Sequence, residues 1–436
     1  MPKIRTLASG VAAFLLLIVV MVPAGATTIQ RVVSPKGIEA WLVEEHAVPL
    51  IAISFSFTGG ASQDPADKPG VANMVSSLLD EGAGDLDSQA FQAALDRYSI
   101  ELSFSDGLDT FAGSMRTLAD NRDEAFNLLK LALTKPRFDQ EPVERIRAQI
   151  ITNIRANERD PGTVGSNALM KALFPGHPYG RPTDGTIDSV KAITTPDLKA
   201  WFASNVARSN LKIAVVGAID AATLGKVLDE VFGDLPEKAD LKPVAETVPA
   251  AAAPVDIAMG IPQTVISFAG KGLKRADPDF IPATVAAYIL GGGGMSSRLY
   301  DEVREKRGLA YSISLGLSPL DHAGVYFGGT STRADQAGNV VKLVEEVIRD
   351  FAEKGPTEKE LEDAKNYLVG SYPLRFDTST KIASLLLAIQ QDDLGIDYID
   401  KRNDLIAGVT IDDVRRAAKR LFADDMVVVR VGQPSG

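Results

Sequence analysis

The chain has 436 residues, 45% of them hydrophobic and 24% charged, an ordinary globular composition with length for two or more domains. A net charge of -11, a pI near 5.0 and an aromatic content of 6% argue against nucleic acid or an anionic membrane surface as a main partner. The absence of cysteine excludes disulfides, thiolate metal sites, iron–sulfur clusters and cysteine nucleophiles, and the three histidines, His46, His177 and His322, lie too far apart in sequence to form a local metal pair.

The N-terminus reads as a targeting segment. Lys3 and Arg5 form a basic start, Val11 to Val22 is an uninterrupted apolar run, and Ala24-Gly25-Ala26 fits a small-x-small cleavage site. The run of about 12 residues falls short of the roughly 20 that a membrane span needs. Residues 1–26 are therefore expected to be a cleaved signal peptide, with a retained anchor as the alternative. The mature chain is expected in the periplasm or outside the cell, free of the membrane after cleavage.

Leu50 to Thr58 is strand-like, and a helix follows over Pro69 to Gly82. Val71, Met74, Val75, Leu78 and Leu79 form its apolar face, and the helix is expected to reach Leu79. Asn73, Ser76 and Ser77 fall on the opposite face. Histidines and a glutamate at that spacing could bind zinc and activate a water, but neutral amides and hydroxyls are poor zinc ligands. Long amphipathic helices are expected around Asn121 to Thr134 and Glu141 to Ala156. Leu211 to Gly217 then reads as a closing apolar strand. Pro236 to Pro254, rich in Pro, Ala, Lys and Glu, reads as a linker.

The remainder repeats the beginning. Ile53-Ser54-Phe55 recurs as Ile266-Ser267-Phe268, 213 residues on, and Ala119-Asp120 recurs as Ala334-Asp335, 215 residues on. Thr195-x-Asp197 before a helix and an apolar strand recurs as Thr410-x-Asp412, again 215 residues on. The expected fold is α+β: two homologous domains, residues 27–235 and 255–436, joined by the linker 236–254. Each is expected to be a mainly antiparallel sheet with helices packed on one face. Gly291 to Gly294 lacks the Lys-Ser/Thr of a phosphate loop and reads either as a turn between helices or as a close approach to a peptide backbone. His177 sits in a Pro/Gly loop and is assigned a structural role; no Gly-x-Ser-x-Gly elbow is present.

Three segments carry a resemblance to a known family. They are Gly59-Gly60-Ala61-Ser62 with Gly70-Val71-Ala72, His177-Pro178-Tyr179-Gly180 with Asp184-Gly185-Thr186, and, most specific, Gly292-Gly293-Gly294-Met295-Ser296-Ser297-Arg298-Leu299-Tyr300 running on to Tyr311-Ser312. The chain resembles the pitrilysin/insulinase zinc peptidases over nearly its whole mature length, and is most similar to the short two-domain branch that includes mitochondrial processing peptidase. The resemblance places the two zinc histidines of the family's H-x-x-E-H motif at Asn73 and Ser77, the catalytic glutamate at Ser76 and the third ligand at Asn153. All four are degenerate, so no metal or other cofactor is expected on this chain. The family also carries an Arg and a Tyr, seven residues apart, that contact substrate, and Arg304 and Tyr311 match them. Ser296 or Ser297 can cap the helix bearing Arg304, with Gly308 as its stop. The plainer reading is an ion pair of Arg304 with Glu302 or Glu305 beside a core tyrosine. The resemblance implies a non-catalytic subunit of a heterodimer, inactive alone, paired with a homologous zinc-bearing subunit for peptide hydrolysis. The alternative it implies is a non-enzymatic peptide-binding or scaffold protein, like the core proteins of the respiratory cytochrome bc complex.

Overall fold

Strand β3 (Leu50–Thr58) shows how the first half is built. Ile51, Ile53, Phe55 and Phe57 alternate onto one face, against the helices of their own half. The small residues Ala52, Ser54 and Ser56 point the other way, yet they too are buried. The computed structural model describes residues 28–433, so the expected signal peptide lies outside the described residues.

Around β3 stand β1 (Gln30–Val33), β2 (Glu39–Glu44), β4 (Glu101–Asp106), β5 (Thr110–Leu118) and β6 (Leu211–Gly217), in the order β1-β2-β6-β3-β5-β4. The second sheet holds β7 (Val255–Ala258), β8 (Gln263–Lys271), β9 (Ala310–Pro319), β10 (Gly324–Arg333) and β11 (Val427–Gly432), in the order β7-β11-β8-β10-β9. Each sheet is antiparallel except for one pair, β2 with β6 and β7 with β11. The fold is α+β, and each half packs its own helices on one face of its sheet, as the repeat implies.

The other face of each sheet shows an exchange that the sequence did not announce, and it makes a third layer. Helix Ser379–Gln391, from the second half, lies on the outer face of the first sheet, where Leu386, Leu387 and Ile389 meet Trp41, Val43, Ala214 and Val216. Its Gln391 donates to the Ser56 hydroxyl (2.9 Å) and its Ser384 hydroxyl stands 3.5 Å from that of Ser54, so both buried serines of β3 have partners on this helix, while Gln390 donates to the Ile213 carbonyl (2.9 Å). In return, helix Pro161–Leu173 covers the second sheet, with Leu169 and Leu173 against Ala269, Val427, Val429 and Val431.

The repeat register is also refined. Reciprocal capping boxes start helices Thr195–Asn205 and Ile411–Phe422 at Thr194/Asp197 and Thr410/Asp413. The equivalent of Thr410 is therefore Thr194, 216 residues away, and one residue is lost again before the closing strands. Residues 236–254 contain neither helix nor strand, but they are strapped down: the Gln63 side chain pairs with both the N–H and the C=O of Lys242 (2.8 and 3.1 Å).

Candidate functional site

The emptied helix is shorter than its periodicity suggests. It runs Val71–Ser76 and continues only as turns. The Asn73 carbonyl accepts from both the Ser76 and the Ser77 hydroxyls (2.9 Å each), and such back-bonding loosens the next helical turn. Val71, Met74, Val75, Leu78 and Leu79 are all buried regardless. At the start, Gly70 has φ +99°, and a Cβ there would lie 2.8 Å from the Asp184 carbonyl oxygen. Asp64 accepts from the Gly70 and Ala72 amides (2.7 and 2.9 Å) and so caps the helix; burial drives its carboxyl up to about 7 despite those two bonds.

The structure brings three of the four degenerate positions to one place. Asn73, Ser77 and Asn153, the last on helix Gln140–Asn157, line a cleft of about 580 Å³ with Glu81, Arg145, Gln149, Asn157 and Asp184. Ser76 is buried beside it. Asp106, at the end of edge strand β4, reaches in: its Oδ1 accepts from the Asn73 amide (3.0 Å) and the Ser76 hydroxyl (3.2 Å). Burial pushes the Asp106 carboxyl up, against those two bonds. One wall is an ion pair, Arg145 Nη2 to Glu81 Oε2 at 2.5 Å; burial works to raise the Glu81 carboxyl, and the bonds from Arg145 and Ser88 outweigh it. Asn73 thus donates to a carboxylate, the one Ser76 proton is shared between that carboxylate and the Asn73 carbonyl, and amides and hydroxyls make a poor donor set for zinc. Among the described residues no group of three or more His, Cys, Asp or Glu could hold a metal ion. Zinc does not fit this chain.

The second candidate site is a helix end beside a strand start. Ser297 occupies the N-cap position of a helical run from Arg298 but makes no side-chain capping bond, its hydroxyl donating to the Gly294 carbonyl instead (2.8 Å); the run turns π-helical over Asp301–Glu305, and Gly308, at φ +61°, ends it. Arg304 in that π turn stands over two rings, 5.0 Å from the Tyr300 centroid and 5.4 Å from that of Tyr311. Its Nη1 donates to the Tyr300 hydroxyl and to Glu305 Oε1 (2.6 Å), while Glu302 pairs with Lys306 and Arg307. Tyr311 is 83% exposed and is not a core tyrosine. The glycine run serves close packing: a Cβ on Gly291 would lie 2.6 Å from the Leu315 Cβ in β9.

These two sites lie at opposite ends of the edge strands. The turn after β4, next to Asp106, meets the turn after β9, where the Asp321 amide donates to Asp109 (3.1 Å). Tyr311 stands at the other end of β9, about 30 Å of strand away.

A duplicated α+β sheet unit with neutral residues on its first helix and an Arg beside an exposed Tyr defines the class: a peptidase-like chain with no metal-binding group among the described residues. The sequence profile described as Insulinase (Peptidase family M16) matches residues 42–187, and that described as Peptidase M16 inactive domain matches residues 192–368. The crystal structure of a peptidase M16 inactive domain from Pseudomonas fluorescens is 31% identical, with a TM-score of 0.87 over 93% of this chain and 98% of that one. The chain belongs to peptidase family M16. The non-peptidase homolog YmxG of Helicobacter pylori is 29% identical over 337 residues, 77% of this chain and 78% of that protein. A chain of Complex III2 from Candida albicans shares the fold, with a TM-score of 0.76 at 17% identity, covering 93% of this chain and 96% of that one.

Asp64, Asp106, the Arg145–Glu81 pair and Tyr300 escaped the sequence reading. Tyr300, four residues before Arg304, was the one within reach of helical spacing.

Proposed function

We infer that this chain is the metal-free subunit of an M16 peptidase pair. A partner of the same fold carries the zinc and the general base. This chain brings Arg304 and Tyr311 to the peptide and is inactive alone. The observation that carries the reading is the contrast within one molecule: the vacated positions are neutral, two of them (Asn73 and Ser76) bonded to Asp106, while Arg304 is stacked on an exposed Tyr311. A guanidinium fork and a phenol hydroxyl both donate, which suits a peptide carbonyl or a developing oxyanion. The length of β9 between this pair and the chain's own vacated cleft favours service to another chain's site. With residues 1–26 acting as a signal, the pair works in the periplasm.

The test compares three preparations: the chain alone, the chain with a zinc-bearing M16 homologue from the same periplasm, and that pair with Arg304→Ala or Tyr311→Ala. Expected are no zinc-dependent peptide cleavage by the chain alone, cleavage by the pair, and a loss of about 10²-fold in kcat/KM for each variant. Zinc-dependent cleavage by the chain alone overturns the reading, and full activity in both variants removes the role of Arg304 and Tyr311. The naming of the Helicobacter pylori relative as a non-peptidase homolog favours a second reading, a scaffold or peptide-binding protein without turnover. Co-purification with proteins that hold no zinc would support that one instead.

A further inference from the structure

The His-Pro-Tyr-Gly segment has no part in either candidate site, yet its tyrosine bonds to both halves. Tyr179 is fully buried, on the turn after helix Pro161–Leu173. Its hydroxyl donates to the Asp109 carboxylate, whose two oxygens lie at 2.8 and 2.7 Å, and accepts from the backbone N–H of His322 (3.0 Å). Asp109 lies in the turn between β4 and β5, and His322 in the turn between β9 and β10. One phenol therefore ties the outermost hairpin of the first sheet to the outermost hairpin of the second. Asp109 repeats the link by accepting from the Asp321 amide (3.1 Å).

The connecting segment is fastened to the same corner. His177 accepts at Nδ1 from the Tyr179 amide (3.2 Å), so its Nε2 carries the proton and donates to the Ala245 carbonyl (3.0 Å). The Thr247 amide donates to the His322 carbonyl (2.9 Å), and the Ala250 amide to that of Leu173 (2.8 Å). Three segments distant in sequence thus close on Tyr179, whose bonds to Asp109 are buried. A segment tied at Lys242, Ala245, Thr247 and Ala250 is no free hinge.

We propose that the Tyr179 hydroxyl is a lock at the corner where the two edge hairpins meet, which, added to the two exchanged helices, fixes the halves of this chain in one relative orientation, so that the chain moves as a single rigid jaw. Admission of a peptide then requires separation from the partner chain, not opening within this one. That last consequence rests on the subunit reading above; the lock itself does not.

The chain contains no cysteine, so two introduced ones take spin labels selectively. Glu124→Cys and Lys359→Cys place one label on an exposed helix position in each half. The lock predicts one narrow distance distribution in the isolated chain, unmoved by an excess of unfolded casein. Tyr179→Phe keeps the ring and removes the hydroxyl; it should broaden the distribution and speed hydrogen exchange of the His322 amide about tenfold. Tyr326→Phe, which removes a buried hydroxyl that has no partner, should leave both readings unchanged. A broad or two-peaked distribution in the Tyr179 chain, a shift on adding casein, or a Tyr179→Phe chain indistinguishable from its parent overturns the proposal. If Tyr179→Phe does not fold, Asp109→Ala, which removes the acceptor of the Tyr179 hydroxyl from the other side, takes its place with the same two expectations. No partner or cleavage assay is involved, so failure of the lock and failure of the subunit reading show separately.

Discussion

Asp64 and Asp106 hold the vacated helix from two directions, one at its first amides and the other at Asn73 and Ser76. Their carboxyls are both pushed up by burial, Asp64 from an ordinary value near 4 to about 7. A group raised in the folded state lends stability that is complete below its unfolded value and is lost as pH rises through its folded one. Asp80, Asp321 and Asp392 are shifted in the same direction by burial. Carboxylates held low, such as Glu360 and Asp413 at about 2, run the other way, but their contribution is complete once pH exceeds the ordinary carboxylate range. The melting temperature should therefore fall between pH 5 and pH 7.5, and Asp64→Asn should flatten that fall while lowering the pH 5 value. A level or rising melting temperature across this window would sink the assignment. The neutral triplet Asn73, Ser76 and Ser77 was legible because it is contiguous, and Arg304 with Tyr311 because a dense motif surrounds them. Asp106 was not, because its meeting with Asn73 depends on strand pairing across the half.

Two glycines show how far an element can be read alone. Gly225 lies inside helix Ala221–Phe232, and a Cβ there would meet nothing within 4 Å. Gly225→Ala should stabilise the chain by about 0.5–1 kcal/mol through helix propensity. Gly165 lies inside helix Pro161–Leu173, where a Cβ would stand 3.1 Å from the Ser267 hydroxyl and 3.4 Å from Val431. Gly165→Leu should destabilise by about 1–3 kcal/mol through overpacking against the second sheet. Urea unfolding of both variants checks the pair, and shifts of the same sign would refute this packing account. Periodicity identified the helices around residues 121–134 and 141–156 within a few residues. It overran at Leu79, where two serine hydroxyls compete for the Asn73 carbonyl. Periodicity also says which face of a helix is apolar, but not which sheet that face will meet, so the destinations of the 161–173 and 379–391 helices stayed hidden.

At the scale of the whole molecule, each half lacks something the other supplies. Residues 28–235 alone would leave Trp41, Val43, Ala214 and Val216 without the helix that covers them. Expressed alone this piece should aggregate, and expressed together with residues 236–433 it should become soluble and co-purify with them. A soluble, cooperatively melting 28–235 fragment would show that the exchanged helix is dispensable. The duplication was legible because three separated matches share nearly one offset; the exchange was not, because two halves docked side by side would leave the same repeats. The exchange also sets a schedule. The last strand of the first sheet ends at Gly217 and its cover begins at Ser379, so 162 further residues must be polymerised first. In a chain that folds as it is made, at about 5–20 residues per second, the outer face would stay bare for roughly ten to thirty seconds. During that interval an aromatic and aliphatic sheet surface has to be shielded by a chaperone or kept unfolded, a demand that arises from the order in which the chain is made.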